Sequence, residues 1–136
     1  MALLAGDLEK VPPELTMREC YQRIYEWHKR YGVTQIRTRY ARDDAYSRIY
    51  AELVKCLPVP PVASDTDMAF VFGEVIYMLM EWAYHEEDDK GIKMAAYAHF
   101  AVNNWFGGSL EQLRDQAQKS RLYQQFGHEK WNKPGV

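Results

Sequence analysis

A basic segment, residues 29–42 (KRYGVTQIRTRYAR), holds five basic side chains and no acidic one. Arg48 follows shortly after this segment. Together with the five basic residues of the segment it completes the candidate contact residues: Lys29, Arg30, Arg37, Arg39, Arg42 and Arg48. Basic side chains on one face can bind nucleic-acid phosphates or the carboxylates of an acidic protein, and nearby tyrosines can stack on unpaired bases. If residues 34–41 form a loop, Arg37 and Arg39 project together, whereas a helix would separate the cations into two strips. We therefore expect a contact surface for nucleic acid or an acidic partner here, with an ordinary solvated face as the alternative.

Four acidic residues recur every seven positions through the most apolar part of the chain: Asp67, Glu74, Glu81 and Asp88. This spacing keeps them on one face of a helix. In an antiparallel hairpin with the next helix, His99 would lie within a turn of Glu81, and two carboxylates with a histidine are potential metal ligands. However, the sequence has neither the Glu-x-x-His pairs of di-iron bundles nor an HExxH zinc motif. We therefore predict that the acids form an edge stripe of the helix that meets solvent or pairs with lysine or arginine, and we expect no metal or other cofactor.

One arginine–histidine pair has a spacing that occurs in helical ribonucleases of the HEPN type. It is formed by Arg23 and His28, but Ile24 stands where that family usually has a polar residue, so membership is not supported. Neither cysteine lies near a histidine in the sequence, and no serine sits on a glycine-flanked elbow. We predict that the protein is not an enzyme. A metal-dependent or HEPN-like ribonuclease using Arg23 and His28 is the enzymatic alternative.

Aromatic residues are abundant: ten Tyr, five Phe and four Trp make up 14% of the chain. Aromatic side chains bury large areas and recur at protein interfaces, so the surplus favours a protein that docks onto something. Trp105 and Phe106 stand beside two glycines, and Trp131 lies in a polar tail. We predict these three residues as partner anchors. A tyrosine-rich core is the alternative explanation for the composition.

Charge is distributed unevenly, although the net charge is only −2. Residues 18–48 hold eight basic and four acidic residues, a net of +4, whereas residues 61–93 hold eight acidic residues and two lysines, a net of −6. A molecule with one basic and one acidic pole can self-associate head to tail or present each pole to a different partner. We therefore expect a protein partner or self-association, with nucleic acid as a further candidate.

Length and hydropathy place the chain among single-domain cytoplasmic proteins. Its 136 residues fit one domain, and its two cysteines lie far from CxxC spacing, as expected in a reducing compartment. The first ten residues lack the basic region and apolar run of a signal peptide. The longest apolar stretch, residues 68–84, contains Glu74 and Glu81, which are costly in hydrocarbon, so no contact with a membrane is expected.

The pattern of apolar residues predicts the elements that position these groups. We expect an all-α fold: a compact bundle of about five mostly antiparallel helices, with helix 68–86 in the centre. We expect residues 1–14 to form a loosely ordered lead-in, residues 15–127 to form the helical bundle, and residues 128–136 to form a mobile tail. Helix one runs from Met17 to a stop at Gly32, and helix two starts between 34 and 44 and ends near 57. Helix four covers 92–106, and a last helix runs from a Ser109 cap to Phe126.

These observations predict a small non-enzymatic helical interaction module that docks onto a larger assembly. The basic face (29–48) and the acidic face (61–93) would be its two recognition surfaces. A nucleic-acid-binding small subunit of a nucleoprotein complex, or a phage-type inhibitor of one, is the alternative.

Overall fold

The computed structural model describes residues 12–35, 44–82 and 89–126, with the exception of the side chains of residues 44–46 and 80–82. In these ranges there are six α-helices and no strand, which confirms the predicted all-α bundle. The helices are α1 (Met17–Trp27), α2 (Asp44–Cys56), α3 (Asp65–Trp82), α4 (Asp89–Trp105), α5 (Leu110–Ala117) and α6 (Arg121–Phe126). The predicted tail, 128–136, and the segment where helix two was predicted to start, 36–43, lie outside the described residues.

Helix α3 is the central helix of the bundle. Every residue from 67 to 79 is buried, and α3 contacts α1, α4, α5 and α6. The prediction of a central third helix is therefore confirmed. The helix begins at Asp65, where Ser64 Oγ accepts the Asp67 N–H at 3.0 Å and satisfies one of the free amides of the first turn.

Helix α1 begins at the predicted capping box but does not stop at the predicted glycine. Thr16 Oγ1 accepts the Glu19 N–H at 3.1 Å, and Glu19 Oε1 accepts the Thr16 N–H at 3.1 Å. The helix then passes into one π-helical turn, His28–Gly32, and residues 33–35 are again helical. The prediction of a stop at Gly32 is wrong, because this glycine does not adopt the left-handed backbone of a helix end. Its missing side chain instead makes room for the Tyr50 ring.

The C-terminal part is divided into two short helices after α4. Gly107 and Gly108 have φ angles of 65° and 72°, and the Gly108 N–H donates to the Val102 carbonyl at 2.8 Å, so they end α4 as predicted. The single helix predicted from Ser109 to Phe126 is wrong, because it breaks at residues 118–120. Ser120 is drawn into the core, where its hydroxyl donates to Asp67 Oδ1 at 2.5 Å and accepts the Leu122 N–H at 3.0 Å. This hydroxyl thus starts α6.

Helices α1 and α4 pack side by side in opposite directions. Arg23 in the second half of α1 contacts Tyr97 at the middle of α4, whereas Tyr31 after the end of α1 contacts Lys90 at the start of α4. The same arrangement brings side chains far apart in sequence to one surface.

Candidate functional site

A basic cleft of about 300 Å³ lies between α1 and α4. Within the described part of the chain, its charged lining consists of Arg23, Glu26 and Arg30 from the α1 side and Lys90 and Lys93 from the α4 side. All five side chains are exposed. Four cations and one carboxylate give the cleft a local charge of +3, although the whole chain has a charge of −2. The cleft is therefore a local positive site on a mildly acidic protein.

The floor of the cleft is aromatic and apolar. Trp27 and Tyr97 are each 4% exposed, and Met94 is 7% exposed. Tyr31 is half-buried and completes the lining. The Trp27 and Tyr97 rings therefore have little accessible surface, and the exposed parts of the cleft are mainly the basic side chains.

Aromatic rings contact three of the four cations of the cleft, Arg23, Arg30 and Lys90. The Arg23 guanidinium carbon lies 5.2 Å from the centre of the Tyr97 ring, and Arg23 Nη1 donates to the Tyr97 hydroxyl at 2.9 Å. Lys90 Nζ lies 4.6 Å and the Arg30 guanidinium carbon 5.9 Å from the centre of the same Tyr31 ring. Cation–π contacts of this kind contribute about 0.5–1 kcal/mol each at exposed sites. The rings therefore serve as supports for the cations.

The positive charges of the cleft are not neutralised within the described part of the chain. Among these residues, none of the four cations forms an ion pair with a carboxylate, and Glu26 instead accepts from Gln22 Nε2 at 3.3 Å. Arg30 and Lys90 approach one ring from opposite walls. Like charges held close together repel, and an anion between them would relieve that repulsion.

The structure brings only part of the predicted basic segment to this cleft. Arg30 lines it, whereas Lys29 lies over the Tyr25 ring, 5.4 Å from its centre, and Arg48 is exposed on α2. The other three predicted contacts, Arg37, Arg39 and Arg42, lie outside the described residues.

Three of the four cations of the cleft were not among the predicted contacts. Arg23 had been considered only in a pair with His28, and Lys90 and Lys93 belong to the segment predicted as the acidic face. The signal that could have found them is helical spacing. Arg23 and Arg30 are seven residues apart, as are Lys90 and Tyr97, so each pair shares one face of its helix.

The enzymatic pair Arg23 and His28 is not brought together as a site. Arg23 lies in the cleft, whereas His28 is 2% exposed and its Nδ1 shares a hydrogen bond with the Tyr50 hydroxyl. Burial lowers the pKa of His28 to about 3, so the imidazole is neutral at ordinary pH. Trp27, which lines the cleft, packs edge-to-face on the His28 ring with 5.1 Å between ring centres, and His28 itself does not line the cleft.

The acids do not meet solvent at the two positions whose side chains the structure describes, so this half of the prediction is wrong there; their pairing with lysine or arginine stays a prediction. Asp67 is 7% exposed and Glu74 is 1% exposed. Because helices surround α3 on several sides, a seven-residue row on this helix is covered. Burial is the larger cause that raises the pKa of Tyr50 well above its ordinary value, and the charge of Glu74 is the smaller one.

The described residues do not assemble a metal site. The side chain of Glu81 and all of Asp88 lie outside them, and among the rest there is no group of three His, Cys, Asp or Glu side chains that could hold a metal ion. His99 is half-buried, and desolvation lowers its pKa. The sequence left open whether Glu74, Glu81 and His99 converge, and this question falls outside the described residues because the side chain of Glu81 does.

The predicted aromatic anchors have different surroundings. Phe106 is 6% exposed and packs edge-to-face on Phe72, with 6.3 Å between ring centres, so it belongs to the core and its prediction as an anchor is wrong. Trp105 is half-buried and packs on Phe100 at 5.3 Å, which leaves part of its ring accessible. Trp131 lies outside the described residues.

In the ranges that the structure covers, no helix has the length and apolar character needed to cross a membrane. Comparison of the chain with protein families, with curated proteins and with solved structures finds no match. The basic cleft between α1 and α4 is therefore the basis for assigning a function.

Proposed function

We propose that this protein is a small non-enzymatic interaction module, which docks onto a larger protein assembly by taking an anionic group of its partner into the basic cleft. The observation that carries this proposal is the convergence of Arg23, Arg30, Lys90 and Lys93 on one cleft without a paired carboxylate among the described residues. Exposed cations of this kind attract and orient an oppositely charged partner surface.

The energetics favour docking at several points over tight capture of one small ion. An exposed ion pair contributes roughly 0.2–1 kcal/mol, so four of them contribute about 1–4 kcal/mol. Because tenfold in affinity corresponds to about 1.4 kcal/mol, the cleft alone gives an enhancement of about fivefold to a thousandfold. A stable complex therefore needs further contacts outside the cleft, for which the partly accessible Trp105 ring is a candidate.

A matched pair of charge-reversal variants tests this proposal. Arg30→Glu/Lys93→Glu reverses two charges in the cleft, and Lys119→Glu/Arg121→Glu reverses two exposed charges that do not line it. Binding of a fluorescently labelled decaglutamate peptide is followed by anisotropy. We expect the wild-type affinity to fall steeply between about 50 and about 300 mM salt, because screening shortens the range of exposed charges.

Both variants change the net charge of the protein by the same amount. A difference between them therefore reports the position of the charges in the cleft and not the net charge. We expect the cleft variant to lose about tenfold or more in affinity at low salt, and the control to lose less than about twofold. Equal losses in both variants, or no binding of the wild type at low salt, would contradict the proposal. Circular dichroism spectra that match the wild type check that both variants are folded.

A further inference from the structure

Building on the proposed function, we infer that the group held in the cleft is the phosphate monoester of a phosphorylated side chain on the partner protein. Its oxygens would contact Arg23 and Arg30 on one wall and Lys90 and Lys93 on the other.

The number of cations fits a phosphate better than a carboxylate. A carboxylate carries one negative charge on two coplanar oxygens, and one arginine can bind both of them. A phosphate monoester carries about −1.5 to −2 at neutral pH on three oxygens in a tetrahedral arrangement. The cleft offers a charge of +3 from two opposing walls, which leaves a single carboxylate poorly matched in charge and geometry.

The cations are also oriented before any ligand binds. Arg23 is held by both the hydroxyl and the ring of Tyr97, and Lys90 and Arg30 lie over Tyr31. Side chains that are already ordered lose less entropy when they bind, and a planar guanidinium can donate two parallel hydrogen bonds to a phosphate. The arrangement is therefore suited to one compact anion with several oxygens.

A nucleic-acid strand fits the cleft less well than a phosphorylated protein segment. Stacking of bases requires accessible ring faces, but Trp27 and Tyr97 are each 4% exposed and Tyr31 already carries two cations. Each further nucleotide would add a negative charge close to a protein with a net charge of −2. A protein segment needs to carry only one such group, and a cleft of about 300 Å³ has room for the end of one side chain.

Two small ligands of matched size test the inference with the full-length protein. These are N-acetyl-phosphoserine-N-methylamide and N-acetyl-glutamate-N-methylamide, titrated by isothermal calorimetry and by amide chemical shifts. We expect phosphoserine to bind at least about tenfold more tightly than glutamate at pH 7.5, because it brings a second charge and a third oxygen. Arg30→Glu/Lys93→Glu should remove this preference, and Lys119→Glu/Arg121→Glu should keep it.

Acidification provides a readout that a carboxylate ligand would not produce. The second pKa of a phosphate monoester is about 6, so lowering the pH from about 7.5 to about 5 should weaken phosphoserine binding several-fold and leave glutamate binding nearly unchanged. Among the described residues, the charged groups that face the cleft are Arg23, Glu26, Arg30, Lys90 and Lys93, and none of the histidines in these ranges lines it. Histidine is the side chain that ordinarily changes charge in this range.

Each other outcome has a definite meaning. Equal affinities for the two ligands would overturn the phosphate inference and leave the proposed docking function in place. Binding of neither ligand nor decaglutamate would overturn both. Tighter binding of a 5′-phosphorylated trinucleotide than of phosphoserine, with the 5′-hydroxyl trinucleotide as control, would also overturn the inference, because the partner would then be a nucleic acid.

Discussion

Gly32→Ala is predicted to destabilise the protein, although alanine favours helical backbone. Gly32 is buried in the π-helical turn after α1. A Cβ atom placed there would lie 2.8 Å from the Tyr50 hydroxyl oxygen, 3.2 Å from Tyr50 Cε1 and 3.2 Å from His28 Nδ1. Tyr50 is 0% exposed and His28 is 2% exposed, so neither ring has open space into which it could move.

Three terms set the size of the effect. An added methyl group in a packed core costs about 1–3 kcal/mol. Displacing the tyrosine breaks its hydrogen bond to His28 and leaves buried polar groups unsatisfied, which costs about another 1–3 kcal/mol. The better helix propensity of alanine offsets about 1 kcal/mol of this destabilisation. The free energy of unfolding should therefore fall by roughly 1–5 kcal/mol.

Urea denaturation of Gly32→Ala, Tyr50→Phe and the double variant measures these terms as a cycle. Tyr50→Phe removes the oxygen that the new methyl group would meet and should by itself cost about 1–3 kcal/mol, because His28 loses its hydrogen-bond partner. In that background Gly32→Ala should cost much less than in the wild type, with a coupling of about 1–3 kcal/mol. A Gly32→Ala variant as stable as the wild type, or strictly additive changes, would refute the steric argument.

Two further predictions concern buried polar groups. Ser120→Ala should lower the free energy of unfolding by about 2–4 kcal/mol, because it removes the hydrogen bond to the buried Asp67 carboxyl and the cap of α6. Ser109→Ala, which removes an exposed cap, should lower it by about 1 kcal/mol. Urea denaturation of both variants measures this, and an equal cost at the two sites would contradict the role of the Asp67 contact. For His28, whose pKa is lowered to about 3 in the folded state, the unfolded chain binds a proton below about pH 6.5 that the folded protein does not bind. The free energy of unfolding should therefore fall as the pH drops from about 6.5 towards about 3, and His28 should contribute up to about 1.4 kcal/mol per pH unit to this fall. An NMR titration in which His28 of the folded protein gains a proton near pH 6.5 would contradict this prediction.

The sequence predicts well those features that depend on neighbours along the chain. The Thr16–Glu19 capping box needs two side chains three residues apart, and the end of α4 needs two residues that tolerate positive φ, which Gly107 and Gly108 supply. The long apolar run of α3 likewise predicts a buried central helix, because apolar residues lie almost all round it. Each of these signals is local, so each can be found without knowing the fold.

Signals that depend on contacts across the fold are missed or misinterpreted. Gly32 looks like a helix stop, but its role is set by Tyr50, eighteen positions away. Ser120 lies within an otherwise helical pattern, and the helix breaks there because its hydroxyl binds Asp67, which is 53 residues away.

By itself, the sequence determined that the chain is a helical bundle and which residues share a face of each helix, since a period of 3.6 residues is a local property. It also showed that basic and acidic residues are unevenly spread. Which faces meet was decided by the tertiary structure alone, because packing joins segments far apart in the chain. The antiparallel contact of α1 and α4 places Lys90 and Lys93, from the segment predicted to be acidic, opposite Arg23 and Arg30, and so forms the basic cleft.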